Sequence, residues 1–206
     1  MSERKERTIT IRLTESDCKS LMNKCGESGI TINELFENFA GDLAEGSYTN
    51  GSDERRAANN WFDRCWFGMF PERTLLNHLL NLGYDPEEYF ELIAHLETAI
   101  KEKDYLNKYP DEQEPDDIVL LTRMISDCCK EINSMTDGWK PEGDPDLYEE
   151  LRRVVSWIDE KNRFIGRSDS HIFEEELEEM DLEKVFSEIE GFEENDLEEC
   201  YTLFAG

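Results

Sequence analysis

Apolar residues between positions 118 and 135 keep a helical beat without a gap. Ile118, Leu121, Ile125, Cys128, Ile132 and Met135 recur at intervals of three, four, three, four and three, which places them on one face of an α-helix. A seam of that length has to face other helices. The neighbouring segments behave alike. Residues 73–82 read as a short apolar helix. Asp85 reads as a helix cap with Pro86 at the first position, and Tyr89, Ile93, Leu96 and Ile100 follow at spacings of four, three and four. After a loop rich in Pro and acids at 109–115, Asp144-Pro145 opens a further helix with Leu147, Leu151, Val154, Val155 and Ile158 inward. Residues 53–70 carry Trp61, Phe62, Trp66, Phe67 and Phe70. That cluster serves either as core or as a partner-binding patch, and helical spacing favours core. No alternating strand is evident after residue 14, so residues 46–167 are expected to form an all-α bundle, entered through the turn-prone stretch 46–52.

Charge narrows the function. The 206 residues hold 50 acids and 22 bases, a net of −28. Residues 1–45 carry 9 acids and 6 bases, residues 46–167 carry 26 and 15, and residues 168–206 carry 15 and one. A balance of this kind disfavours nonspecific binding to nucleic acid or to an anionic membrane and favours a basic partner.

The acidic end is not a featureless tail. Glu174, Glu175, Glu178, Glu179, Asp181 and Glu183 alternate with Phe173, Leu177, Met180, Leu182, Val185, Phe186 and Ile189, and Phe192, Leu197, Tyr201, Leu203 and Phe204 continue the apolar series. A disordered acidic segment lacks such a stripe. Residues 168–206 are expected to form two short amphipathic helices docked on the body. Their carboxylate rows are a solvated face, mimic nucleic-acid phosphates, or meet another kind of basic partner.

At the other end, residues 7–14 alternate strictly. Ile9, Ile11 and Leu13 fall on one side, and Thr8, Thr10 and Arg12 on the other, the signature of a half-buried strand. Thr14 reads as a helix N-cap with Asp17 at the third helical position. Cys18, Leu21, Met22 and Cys25 share one face of the helix that follows. Gly26 and Gly29 end it, and Thr31 with Glu34 forms a capping box for a second helix bearing Leu35, Phe36, Phe39 and Leu43.

Strand, helix, glycine turn and helix within residues 1–45 resemble the ribbon-helix-helix family of Arc- and MetJ-like DNA-binding proteins. The resemblance implies a homodimer joined by an intersubunit β-ribbon, with Ile9, Ile11 and Leu13 in the interface. Either the module only dimerises, or, as the resemblance implies, Thr8, Thr10 and Arg12 read base edges of operator DNA, with Thr31 and Asn33 near phosphate. The expected fold is therefore mostly α: a ribbon-helix-helix module at 1–45, a helical body at 46–167, and acidic helices at 168–206.

Little points to catalysis. The chain has no phosphate loop, no G-x-G-x-x-G, no H-E-x-x-H and no G-x-S-x-G. The cysteines (18, 25, 65, 128, 129 and 200) form no C-x-x-C pair, and His78, His95 and His171 lie far apart, so neither a zinc site nor a disulfide framework is expected. Cys128, on the seam, reads as a buried structural thiol. No apolar segment follows the charged N-terminus, and no stretch approaches a membrane span, which suggests a cytoplasmic protein.

A non-enzyme without cofactor is expected, and two functions fit. A very acidic chain with a DNA-binding-type module is similar in architecture to anti-CRISPR proteins of mobile elements. That reading implies inhibition of a basic nucleic-acid enzyme, such as a Cas nuclease or its guide complex, with autoregulation through the first module. The alternative is a ribbon-helix-helix transcriptional regulator or plasmid-transfer accessory protein.

Overall fold

The computed structural model describes residues 5–46, 49–112, 116–139, 146–167 and 173–192. Among them lie ten α-helices and no strand: α1 Glu15–Glu27, α2 Ile32–Leu43, α3 Ser52–Arg64, α4 Trp66–Met69, α5 Leu75–Leu82, α6 Pro86–Lys108, α7 Asp117–Thr136, α8 Leu147–Ile165, α9 Phe173–Glu179 and α10 Leu182–Gly191. The chain divides into two compact units, Met1–Glu72 and Arg73–Gly206.

The absent strand corrects the sequence reading. Residues 5–14 have no regular structure and are all exposed, with Ile9 66%, Ile11 49% and Leu13 43% open to solvent. A strand is defined by hydrogen bonds to a neighbouring strand, and the chain offers residues 7–14 no second alternating segment. The alternation marks which side chains share a side, and nothing more. The ribbon-helix-helix resemblance and its β-ribbon fall with it.

The two helices behind that segment do form. Thr14 caps α1 by accepting from the Asp17 amide, and Asp17 accepts in return from the Thr14 amide at 3.3 Å. Thr31 and Glu34 do the same for α2, with the Thr31 amide 2.7 Å from a Glu34 oxygen. These bonds to its ionised form hold the Glu34 carboxyl below its ordinary pKa. Asp42 is buried, and its two oxygens accept from the Asn50 backbone and side-chain amides, each at 2.8 Å. That carboxylate ties Asn50 to the last turn of α2.

The second unit is a helical bundle with a real core. α6 packs chiefly on α7 and α8, α5 joins α7 and α8, α9 lies on α8, and α10 lies on α6 and α7. Asp85 caps α6 with Pro86 in the first turn. Tyr89, Ile93, Leu96 and Ile100 are buried as their spacing requires, together with Phe90. Leu151, Val154, Val155 and Ile158 of α8 are wholly enclosed. Its cap is Asp146, which accepts from the Tyr148 and Glu149 amides, while Asp144 and Pro145 lie outside the described residues. α5 is tied in by its Leu75 amide, 2.6 Å from Glu150 Oε2, and by His78 Nε2, 3.1 Å from the Met135 carbonyl oxygen. No helix among the described residues is long and apolar enough to cross a membrane.

Candidate functional site

Two surfaces depart from an ordinary exterior, one in each unit.

In the second unit, α9 and α10 place nine carboxylates against one base within residues 173–192. The helices are held from beneath. Phe173, Leu177, Leu182 and Val185 are buried in the core, and Met180, Phe186 and Ile189 pack half-buried against it. The Phe173 ring meets Phe90 of α6 edge-on at 5.5 Å, a geometry that adds to simple burial. The apolar stripe read from the sequence is thus the docked face through residue 192. Leu197, Tyr201, Leu203 and Phe204, which continue the apolar series in the sequence, lie outside the described residues, as does His171.

On the outer side, Glu174, Glu175, Glu178, Glu179, Asp181 and Glu183 are all exposed. Glu174 accepts from the Ser156 hydroxyl at 3.0 Å. Asp181 caps α10 by accepting from the Lys184 amide. The local base, Lys184, is ion-paired to Asp104, so its charge is already matched. Glu174 with Glu178, and Glu175 with Glu179, stand one helical turn apart, about 5–6 Å between Cβ atoms.

One residue behind this face escaped the sequence reading. Glu97 of α6 is 7% exposed. It is ion-paired to Lys101 and accepts from the Asp181 backbone amide at 3.1 Å. A buried carboxylate thereby clamps the corner between α9 and α10. Its only sequence signal is the Lys four residues on, a spacing that surface pairs share.

Nearby, a cleft of about 170 Å³ is lined by Lys103, Ser126, Cys129, Glu188 and Phe192, among others. Cys129, not Cys128, is the fully enclosed thiol of α7. Burial, and then the charges of Glu188 and Cys128, push its pKa up to about 12. It stays protonated, which suits packing and not nucleophilic attack. Among the described residues no three His, Cys, Asp or Glu side chains gather to hold a metal ion.

In the first unit, the expected core of 53–70 is turned outward. Trp61, Phe62, Trp66, Phe67, Met69 and Phe70 are all exposed, as are Phe36 and Phe39 of α2. Phe39 meets Trp61 edge-on at 5.3 Å, Trp61 meets Phe67 at 6.2 Å, and Phe62 meets Phe67 at 5.0 Å. Gly68 permits this corner: a Cβ there would stand 2.3 Å from the Phe62 carbonyl oxygen and 3.0 Å from Asp63 Cα. Helical spacing favoured core for these rings, but short helices can point a dense aromatic run either way, and here it points outward.

Thr8, Thr10 and Arg12 lie on the irregular segment, Thr31 has its hydroxyl engaged at the α2 cap, and Asn33 is exposed in the first turn of α2. No ribbon presents the first three together. No protein-family model matches the chain, and neither a curated protein nor a solved structure does, so neither family resemblance drawn from the sequence has support.

Proposed function

We propose that the face of α9 and α10 binds the basic nucleic-acid channel of an enzyme, a nuclease being the first candidate, and so competes with that enzyme's substrate. What carries the reading is that the helices bearing the carboxylates are held in place. A flexible acidic tail loses ordering entropy when it binds. Here the apolar stripe and the Glu97 clamp order the helices beforehand. Channels that track a nucleic-acid backbone are lined with Lys and Arg, and rows of fixed carboxylates offer them the sign of charge they are built for. With Lys184 already paired, the two helices keep a strong negative excess toward such a channel.

The test uses purified, guide-loaded Cas9 as the first probe, with further nucleic-acid enzymes taken from a pull-down washed at low and at high salt. Binding of the chain should compete with target DNA and weaken as salt rises. Changing Glu175, Glu178 and Glu179 together to Lys should weaken it at least tenfold, about 1.4 kcal/mol, and flatten the salt dependence. Equal affinities and equal salt slopes for both proteins would reduce the face to solvated surface.

A further inference from the structure

The first unit folds around almost nothing of its own. Among its described residues, Cys25 and Ala58 are the buried apolar side chains, although chains of about 60 residues ordinarily bury about 60% of the surface they expose when unfolded. Its large apolar side chains stand outside instead, joined ring to ring from Phe39 through Trp61 to Phe67 and Phe62. Contiguous apolar surface of this kind marks an interaction site.

We propose that this aromatic face of α2, α3 and α4 is where two copies of the chain associate. Two observations choose a second copy over other occupants. The first is area. A fully exposed side chain of this size offers about 200 Å²; at their exposures the four joined rings leave about 360 Å² open, and Phe36, Trp66, Met69 and Phe70 on the same three helices bring the exposed apolar total to about 800 Å², the area that one partner of a standard interface covers. The second is charge. Residues 1–72 hold 13 acids and 9 bases, a net of −4, whereas residues 73–206 hold 37 and 13, a net of −24. A basic partner is drawn to the second unit. The nearly neutral first unit is the part that can meet its own copy with little repulsion, and a two-fold contact needs only one self-complementary patch. The association is apolar, between rings, and uses none of residues 5–14. It stands apart from the acidic-face reading.

Sedimentation equilibrium of the full chain decides it, over concentrations on the order of 1–100 µM. The mass should climb from 24.2 kDa toward twice that value. Raising NaCl from about 50 to about 500 mM should tighten association, because salt screens the repulsion between two acidic chains. Weakening by salt would overturn the proposal. Changing Trp66 and Phe70 together to Glu should raise the dissociation constant at least a hundredfold with helix content unchanged. If the double variant loses helix, Trp66→Gln, neutral at a position 69% exposed, decides in its place, with at least a tenfold rise expected. An unweakened dimer in the deciding variant overturns the proposal. The Glu175, Glu178 and Glu179 to Lys variant should associate at least as tightly as the parent; weaker association would move the interface to the acidic face. A chain that stays at 24.2 kDa at every concentration also overturns the proposal. Trp61 and Trp66 would then report why, by acrylamide quenching: shielded if another part of the same chain covers them, open if the face awaits a different protein.

Discussion

The two units solve the same problem in opposite ways. In the second, apolar side chains of six helices share one core, and the carboxylates stand outside. In the first, four helices leave Phe, Trp and Met side chains on the exterior and bury little besides Cys25, Ala58 and Asp42. The difference teaches that burial and charge are divided along the chain. One unit is complete and electrostatically loud; the other is electrostatically quiet and apolar outside.

The contrast is broken most directly by trimming one ring in each unit. Phe90 is fully enclosed, so Phe90→Ala should cost about 3–5 kcal/mol in urea unfolding. Trp66→Ala, at a ring 69% exposed, should cost no more than about 0.5 kcal/mol when measured on dilute monomer. Comparable losses would mean that the rings of the first unit are not outside.

Each unit also hides one carboxylate that ties down a turn, and these should behave alike. Asp42→Ala strips the acceptor from two Asn50 amides, and Glu97→Ala strips it from the Asp181 amide. Each should cost about 1–3 kcal/mol, read as faster hydrogen exchange at Asn50 and at Asp181 respectively. Glu97→Gln keeps an acceptor and should restore most of the protection at Asp181.

A further effect belongs to alkaline pH and to the core of the second unit. Burial raises the Cys129 thiol to about 12, and also raises the Cys128 thiol and the Tyr89 phenol above their ordinary ranges. A raised folded pKa contributes stability that is whole below the unfolded value and is lost as pH climbs past it. Thermal stability should therefore fall from about pH 9 upward, by about 1–2 kcal/mol at pH 10. Cys129→Ala should remove the largest part of that slope below pH 10 and leave the Cys128 part, with the tyrosine part above it.

Much of the second unit was legible because helical periodicity reports a buried face directly. Its limit shows at α7. Cys128 and Cys129 lie three and four residues after Ile125, and four and three before Ile132. Both fit a helical face, and only packing against neighbouring helices picks Cys129. Buried polar groups such as Asp42 and Glu97 leave no periodic trace at all. The outward rings of 61–70 were illegible for another reason: composition shows that apolar area exists, not which way it points. In residues 7–14 the pattern specified a side but no pairing partner. The acidic face was half legible. Its charge could be counted, whereas the clamp that fixes it depends on Glu97, more than 80 positions away in sequence from the amide it holds.

The docking of α9 and α10 has a consequence for how this protein can change. Phe173, Leu177, Leu182 and Val185 belong to the same cluster as Phe90, Ile132 and Val154. The charged helices are therefore structural members of the bundle and not a detachable appendage. Cutting the chain after Arg167 would open the core as well as remove the carboxylates. Over generations, the face is free to drift one outward residue at a time, gaining or losing charge at positions such as Glu175 and Glu178. It cannot be discarded whole while the rest of the bundle keeps its shape.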